Sequence, residues 1–99
     1  MSLRVIIVPA AQADLLEAIA WYESNHPDLS FDLRLSLDAA LDHIARYPEA
    51  CALVAPTVRR ALLRRFPHAV YYRWLKKVIE VIAILHTHRS PRVWQKRKP

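Results

Sequence analysis

The chain has no glycine among its 99 residues. No helix can therefore end on a glycine cap, and Asn25, followed by Pro27, is the natural stop for a first helix. Cysteine is nearly absent too. Cys51 alone excludes an internal disulfide framework and any Cys-based zinc cage, and it fits a reducing cytoplasm. Its place in a loop after Pro48, with no histidine pattern nearby, makes it an inert thiol. Long apolar runs are also missing. Val5-Ile6-Ile7-Val8 ends at Pro9 and falls short of the roughly 7–15 residues of a signal-peptide core. Nothing approaches the ~18–20 residues of a membrane span. The expectation is a cytoplasmic protein with no membrane partner.

Acid is scarce in the second half. Residues 57–99 hold eight arginines and four lysines against Glu80 alone, net +11, whereas residues 1–56 hold three arginines against eight carboxylates, net −5. A split this sharp is the footprint of a polyanion, an acidic protein partner, or both, against the plainer alternative of a generic basic surface. A surface that repels itself so strongly is relieved by an acidic partner. The remaining composition suits a real core: 54% of residues are hydrophobic, and 99 residues make one domain, taken as 1–99. A domain of this size has a thin stability margin, part of which a partner can supply.

Leu3 to Val8 reads as a strand of β-branched residues ended by Pro9, which is well placed to open a helix. From Ala10 to Ser24, the residues Ala11, Leu15, Ala18 or Ile19, and Tyr22 share one helical stripe, and Gln12, Asp14, Glu17 and Glu23 supply the polar face. A second helix, capped by Asp28 or Ser30, buries Leu33, Leu37, Ala40 or Leu41, Ile44 and Tyr47, and Pro48 ends it. The short link makes a helical hairpin, with Trp21 and Phe31 expected in its packing. Residues 51–57 read as a loop. Val58–Phe66, His68–Leu75 and Val78–His86 then read as three strands of an antiparallel meander, with Lys76-Lys77 as a tight turn. Tyr71 and Tyr72 face opposite sides of the sheet, so one is core and the other a candidate for the open face.

The last strand is apolar on both faces apart from Glu80, which suits a strand covered twice. The helical hairpin covers one face. The tail from Thr87 to Pro99 offers only Val93 and Trp94 among many cations, so the second face is expected to be covered by a partner or to be a concave working surface. The fold class is α+β, in the order β-α-α-β-β-β.

With these pieces in order, the sequence resembles the ParE/RelE superfamily of toxins from type II toxin–antitoxin modules, and most closely its ParE-like, plasmid-stabilisation branch. The resemblance covers nearly the whole chain. It rests on Ala11-x-x-Asp14-Leu15-x-x-x-Ile19-x-x-Tyr22, on Phe31 with Leu41 and Ile44 before Pro48, and on Arg59-Arg60 through Arg65-Phe66-Pro67. Tyr71-Tyr72-Arg73, Val81 to His86 and Arg89-Ser90-Pro91-Arg92-x-Trp94 complete it. It implies a toxin held by a co-expressed acidic antitoxin that wraps it with a helix and an extended segment. ParE-like members poison DNA gyrase; RelE-like members cleave mRNA on the ribosome. Either polyanionic target fits the charge split.

RNA cleavage without a metal needs a base for the 2′-hydroxyl, an acid for the leaving oxygen and cations for the phosphate. Cations abound, and a nuclease would draw on His86 and His88 with Arg64 and Arg73. In the RelE-like branch a Tyr or His near the C-terminus serves as shuttle. Here Trp94 stands where it would be sought, and indole cannot carry a proton. His86-x-His88 also has chelating alternation, but lacks a third ligand nearby, so a hydrogen bond at the strand end is the simpler role for His86. A plain nucleic-acid module, stacking bases on Tyr72, Arg73 and Trp74, lacks an RNP-type signature and a basic helix face. The expectation is therefore a cofactor-free toxin that acts by binding, through Arg60, Arg64, Arg73, His86, Arg89, Arg92 and Trp94.

Overall fold

The computed structural model describes residues 2–97, so Met1 and the last two residues of the tail lie outside the described part. Its elements are β1 (Arg4–Ile7), α1 (Pro9–Asn25), α2 (Pro27–Arg46), β2 (Ala52–Ala55), β3 (Val58–Leu62), β4 (His68–Leu75), β5 (Val78–His86) and α3 (Arg92–Gln95). The α+β class and the β-α-α-β-β-β order stand, with two additions. Ala52–Ala55 forms a short edge strand instead of a loop, and the tail contributes α3.

Both long helices open on a proline whose missing N–H costs nothing there, and a single residue, His26, separates them. The stripes behave as their spacing dictates. Ala11, Ile19 and Tyr22 from α1 join Leu33, Leu37 and Ile44 from α2 in the main core. Trp21, Phe31 and Tyr47 do not: Trp21 is 53% and Phe31 64% exposed, and Tyr47 is exposed as well. Trp21 and Phe31 lie off the stripes set by Tyr22 and Leu33, so the geometry of the helix overrides the preference of a large ring for the interior.

The five strands run in the order β1-β5-β4-β3-β2, parallel between β1 and β5 and antiparallel elsewhere. β3 ends at Leu62, short of the expected Phe66, and residues 63–67 form a loop in which Arg65 has φ 70°. Lys76 opens the β4–β5 turn with φ 52°, a backbone that glycine would adopt at lower cost.

A bulge in β5 decides which side chains face which way. Tyr71 pairs with Ala83 and Tyr72 with Val81, leaving Ile82 unopposed. Across that extra residue the alternation changes phase. Ile79, Val81 and Ile84 pack towards the helices, whereas Ile82, Ala83 and Leu85 pack in a second cluster on the other face. Both tyrosines are buried, Tyr72 in the first core and Tyr71 in the second, so neither lines an open face. The second cluster is closed by the chain's own tail: Trp94, 5% exposed, stacks on Tyr71 with ring centroids 5.2 Å apart and planes 18° apart.

Candidate functional site

Three regions hold the side chains with chemistry to offer. The first is a cleft of about 320 Å³ between α1 and the adjoining ends of β4 and β5, lined by Asp14, Glu17, Trp21, His68, His86 and Arg89 among others. His68 and His86 are ladder partners whose ring centroids lie 5.4 Å apart, and His88 follows 5.1 Å from His86. The His86 ring is committed at one nitrogen, because Nδ1 accepts the backbone N–H of His88 at 3.0 Å. This is the strand-end hydrogen bond expected of it. His68 is buried, and its Nδ1 has no hydrogen-bond partner among the described residues. Burial, and then the neighbouring His86, hold its pKa below the ordinary 6.5. Among the described residues no group of three His, Cys, Asp or Glu side chains is placed to hold a metal ion.

The second region is the sheet face away from the long helices. Arg60 pairs across the ladder with Tyr71, and Arg73 with Glu80, so these four positions belong to the face of the Trp94 cluster, while Arg60 also borders the groove beside α2. Arg73 is not a free cation. It donates to Glu80 Oε1 at 3.0 Å and is largely buried. Nor is Trp94 a surface group, since its ring seals the second core. Arg92, on α3, and Arg60 are exposed.

The third region is a groove of about 810 Å³ between α2 and β3, lined by Leu35, His43, Arg60, Leu62, Arg64 and Phe66 among others. Ser36 Oγ donates to the Arg64 carbonyl at 2.9 Å and fixes the loop to α2, while Arg65 reaches Asp32 at 3.7 Å. Arg59, by contrast, is spent inside the fold, donating to the carbonyls of Glu49 and Cys51 at 3.0 and 2.7 Å.

Of the seven side chains expected to face a target, Arg60, Arg64, Arg89 and Arg92 are exposed and form no ion pair among the described residues. His86 lies with Arg89 in the cleft, Arg60 and Arg64 in the groove; Arg73 and Trp94 are occupied structurally. One functional-looking residue was misplaced by the sequence reading. Asp14 belongs to the polar face by residue type, yet its side chain is only 9% exposed and is ion-paired with Arg97. Its spacing from Ala11 and Ala18 already puts it on the buried stripe.

This arrangement can be compared with known proteins. A family model described as the ParE toxin of the type II toxin-antitoxin system, parDE, matches residues 5–91. The chain belongs to the ParE toxin family. No curated protein matches it. A solved structure described as the chromosomal ParDE TA system from P. aeruginosa holds a chain with the same fold, at TM-score 0.74 and 19% identity. The alignment covers 86% of this chain and 96% of that one. As a member of a toxin–antitoxin family, the protein has an antitoxin as its implied partner. No helix among the described residues is long and apolar enough to cross a membrane.

Proposed function

We propose that this ParE-family toxin is a single domain that inhibits DNA gyrase by binding in the cytoplasm, and that a cognate acidic antitoxin masks it. The observation that carries the reading is where the unpaired cations lie. Arg60 and Arg64 gather at the groove beside α2, and Arg89 and Arg92 on the C-terminal segment. These are groups that hold phosphates or carboxylates by charge and hydrogen bonds, with no chemistry of their own. The histidine cleft is less suited to cutting a phosphodiester. Arg97 already neutralises Asp14 there, and among the described lining residues Arg89 is the one arginine and Glu17 stands beside it, so a phosphate entering the cleft would meet one cation opposed by a carboxylate.

A second reading, a ribosome-dependent endoribonuclease, draws support from the clustering of His68, His86 and His88. Induction of the protein alone separates the two. Gyrase trapping produces filamentous cells and a DNA-damage response while translation continues; mRNA cleavage stops translation first. In the same assay Arg60→Ala with Arg64→Ala is expected to relieve growth arrest, and His86→Ala with His88→Ala to leave most of it. Loss of toxicity in the histidine pair alone, with cut transcripts from purified ribosomes, gives the nuclease. Co-expression of an acidic neighbour should restore growth.

A further inference from the structure

β1 stops at Ile7 because Pro9 begins α1, so β5 has a strand partner on that side only from Val78 to Val81. Just beyond lies the bulge, and there two backbone groups stand outside the ladder. Ile84 N–H donates to Asp14 Oδ2 at 3.0 Å, and the Ile82 carbonyl accepts from Arg97 Nη1 at 3.3 Å. The carboxylate and the guanidinium also hold each other through two hydrogen bonds, with both side chains largely buried. One ion pair therefore ties together the first long helix, the bulge of β5 and the tail. The tail has a second anchor, the Trp94 ring on Tyr71. Between and beside these anchors the same segment carries Arg89, Arg92 and Lys96 on the surface.

We infer that Asp14 is a positioning residue: through Arg97 it clamps the C-terminal segment against the second sheet face and so presents Arg89 and Arg92 to the target. The role of the presented cations rests on the binding reading above; the clamp itself rests on the geometry alone. A clamp of this kind works because its charged hydrogen bonds are shielded from water, and because each partner also satisfies a backbone group that would otherwise be left without one. A four-residue helix has too few internal bonds to hold the segment by itself. Loss of either charged partner shifts the segment from docked to released by about tenfold or more.

The test has two readouts on the full chain. In a purified background carrying Trp21→Phe and Trp74→Phe, both at exposed positions, Trp94 is the remaining tryptophan, and acrylamide quenching reports how often its ring is uncovered. Asp14→Asn and Arg97→Gln should each raise that quenching several-fold. The double variant should be no worse than either single one, since both remove the same interaction. Arg97→Lys should recover part of the protection. In cells, in the otherwise unchanged protein, Asp14→Asn should need about tenfold more inducer for growth arrest. Ile19→Val, which loosens the same helix without touching the clamp, should need little more than wild type. Trp94 as protected in Asp14→Asn as in wild type overturns the clamp. A released tail with potency no lower than that of Ile19→Val overturns the presentation role. A wild type that arrests nothing removes the binding reading and the presentation role with it, and quenching of Trp94 then decides the clamp on its own.

Discussion

His68 and Tyr72 are both buried polar side chains, and the difference between them lies in what each ring finds. The Tyr72 hydroxyl donates to the Pro48 carbonyl at 2.8 Å, joining β4 to the end of α2 across 24 residues of sequence. Burial first, and then the adjacent Cys51 thiol, push its pKa up, so it stays a donor at any working pH. Tyr72→Phe keeps the ring and strands the carbonyl, and should cost about 1–2 kcal/mol in denaturant unfolding. His68 finds no partner for Nδ1, and its imidazole is held neutral. A base with a depressed folded pKa takes up more protons unfolded than folded in acid. Its contribution is therefore full above the ordinary 6.5, shrinks as the pH falls below that, and is gone under the folded value. His86, Tyr22, Asp14, Glu17 and Arg89 line the same cleft, so the comparison must be with a variant. His68→Phe should lose less melting temperature than wild type between pH 7 and pH 5. Equal losses would assign the acid lability to another group.

At the scale of elements, α2 makes a direct contrast. Leu33 is fully buried and Phe31 is exposed, although the phenyl ring is the larger apolar group. Leu33→Ala should cost about 2–5 kcal/mol, whereas Phe31→Ser should stay within about 0.5 kcal/mol by chemical denaturation. The helix period made that distinction available in the sequence, and residue type alone hid it. The two helices, the strands His68–Leu75 and Val78–His86 and the turn at Lys76 were legible because periodicity, proline and β-branching all point the same way. The edge strand Ala52–Ala55 was not, being four small or apolar residues with no alternation to read. Nor was the bulge at Ile82, since an unopposed residue has no mark of its own in an apolar run. The bulge sets which β5 residues pack beside Tyr72 in the first core and beside Tyr71 in the second, and the tail's Trp94 closes the second face. The exposed arginines of the candidate site were readable from charge. Pairing partners were not: Arg73 with Glu80 and Asp14 with Arg97 depend on strand register and on a tail folding back across 83 residues.

Across the whole molecule the packing turns a charge split along the chain into one across space. The two long helices carry seven Asp and Glu against Arg34 and Arg46, and they lie on one face of a sheet whose strands, loops and tail carry most of the cations. Arg46 is moreover neutralised locally by Asp42 at 3.3 Å. A body charged in this way turns its cationic side to an acidic partner before contact, which raises the association rate more than it deepens the final well. The screening length is about 10 Å at 0.1 M salt and about 3 Å at 1 M, so that advantage should vanish over this range. With a purified acidic antitoxin, Arg60→Ala with Arg64→Ala should slow association about tenfold or more at low salt and little at 1 M. Arg34→Ala, on the acidic side, should change neither. The same antitoxin at a thousandfold excess over its Kd should stabilise the fold by about 4 kcal/mol, read as a concentration-dependent rise in melting temperature. An association rate and affinity flat from low to high salt would mean that burial of Leu35, Leu62 and their apolar neighbours drives the complex, and that the cations are kept for the target alone.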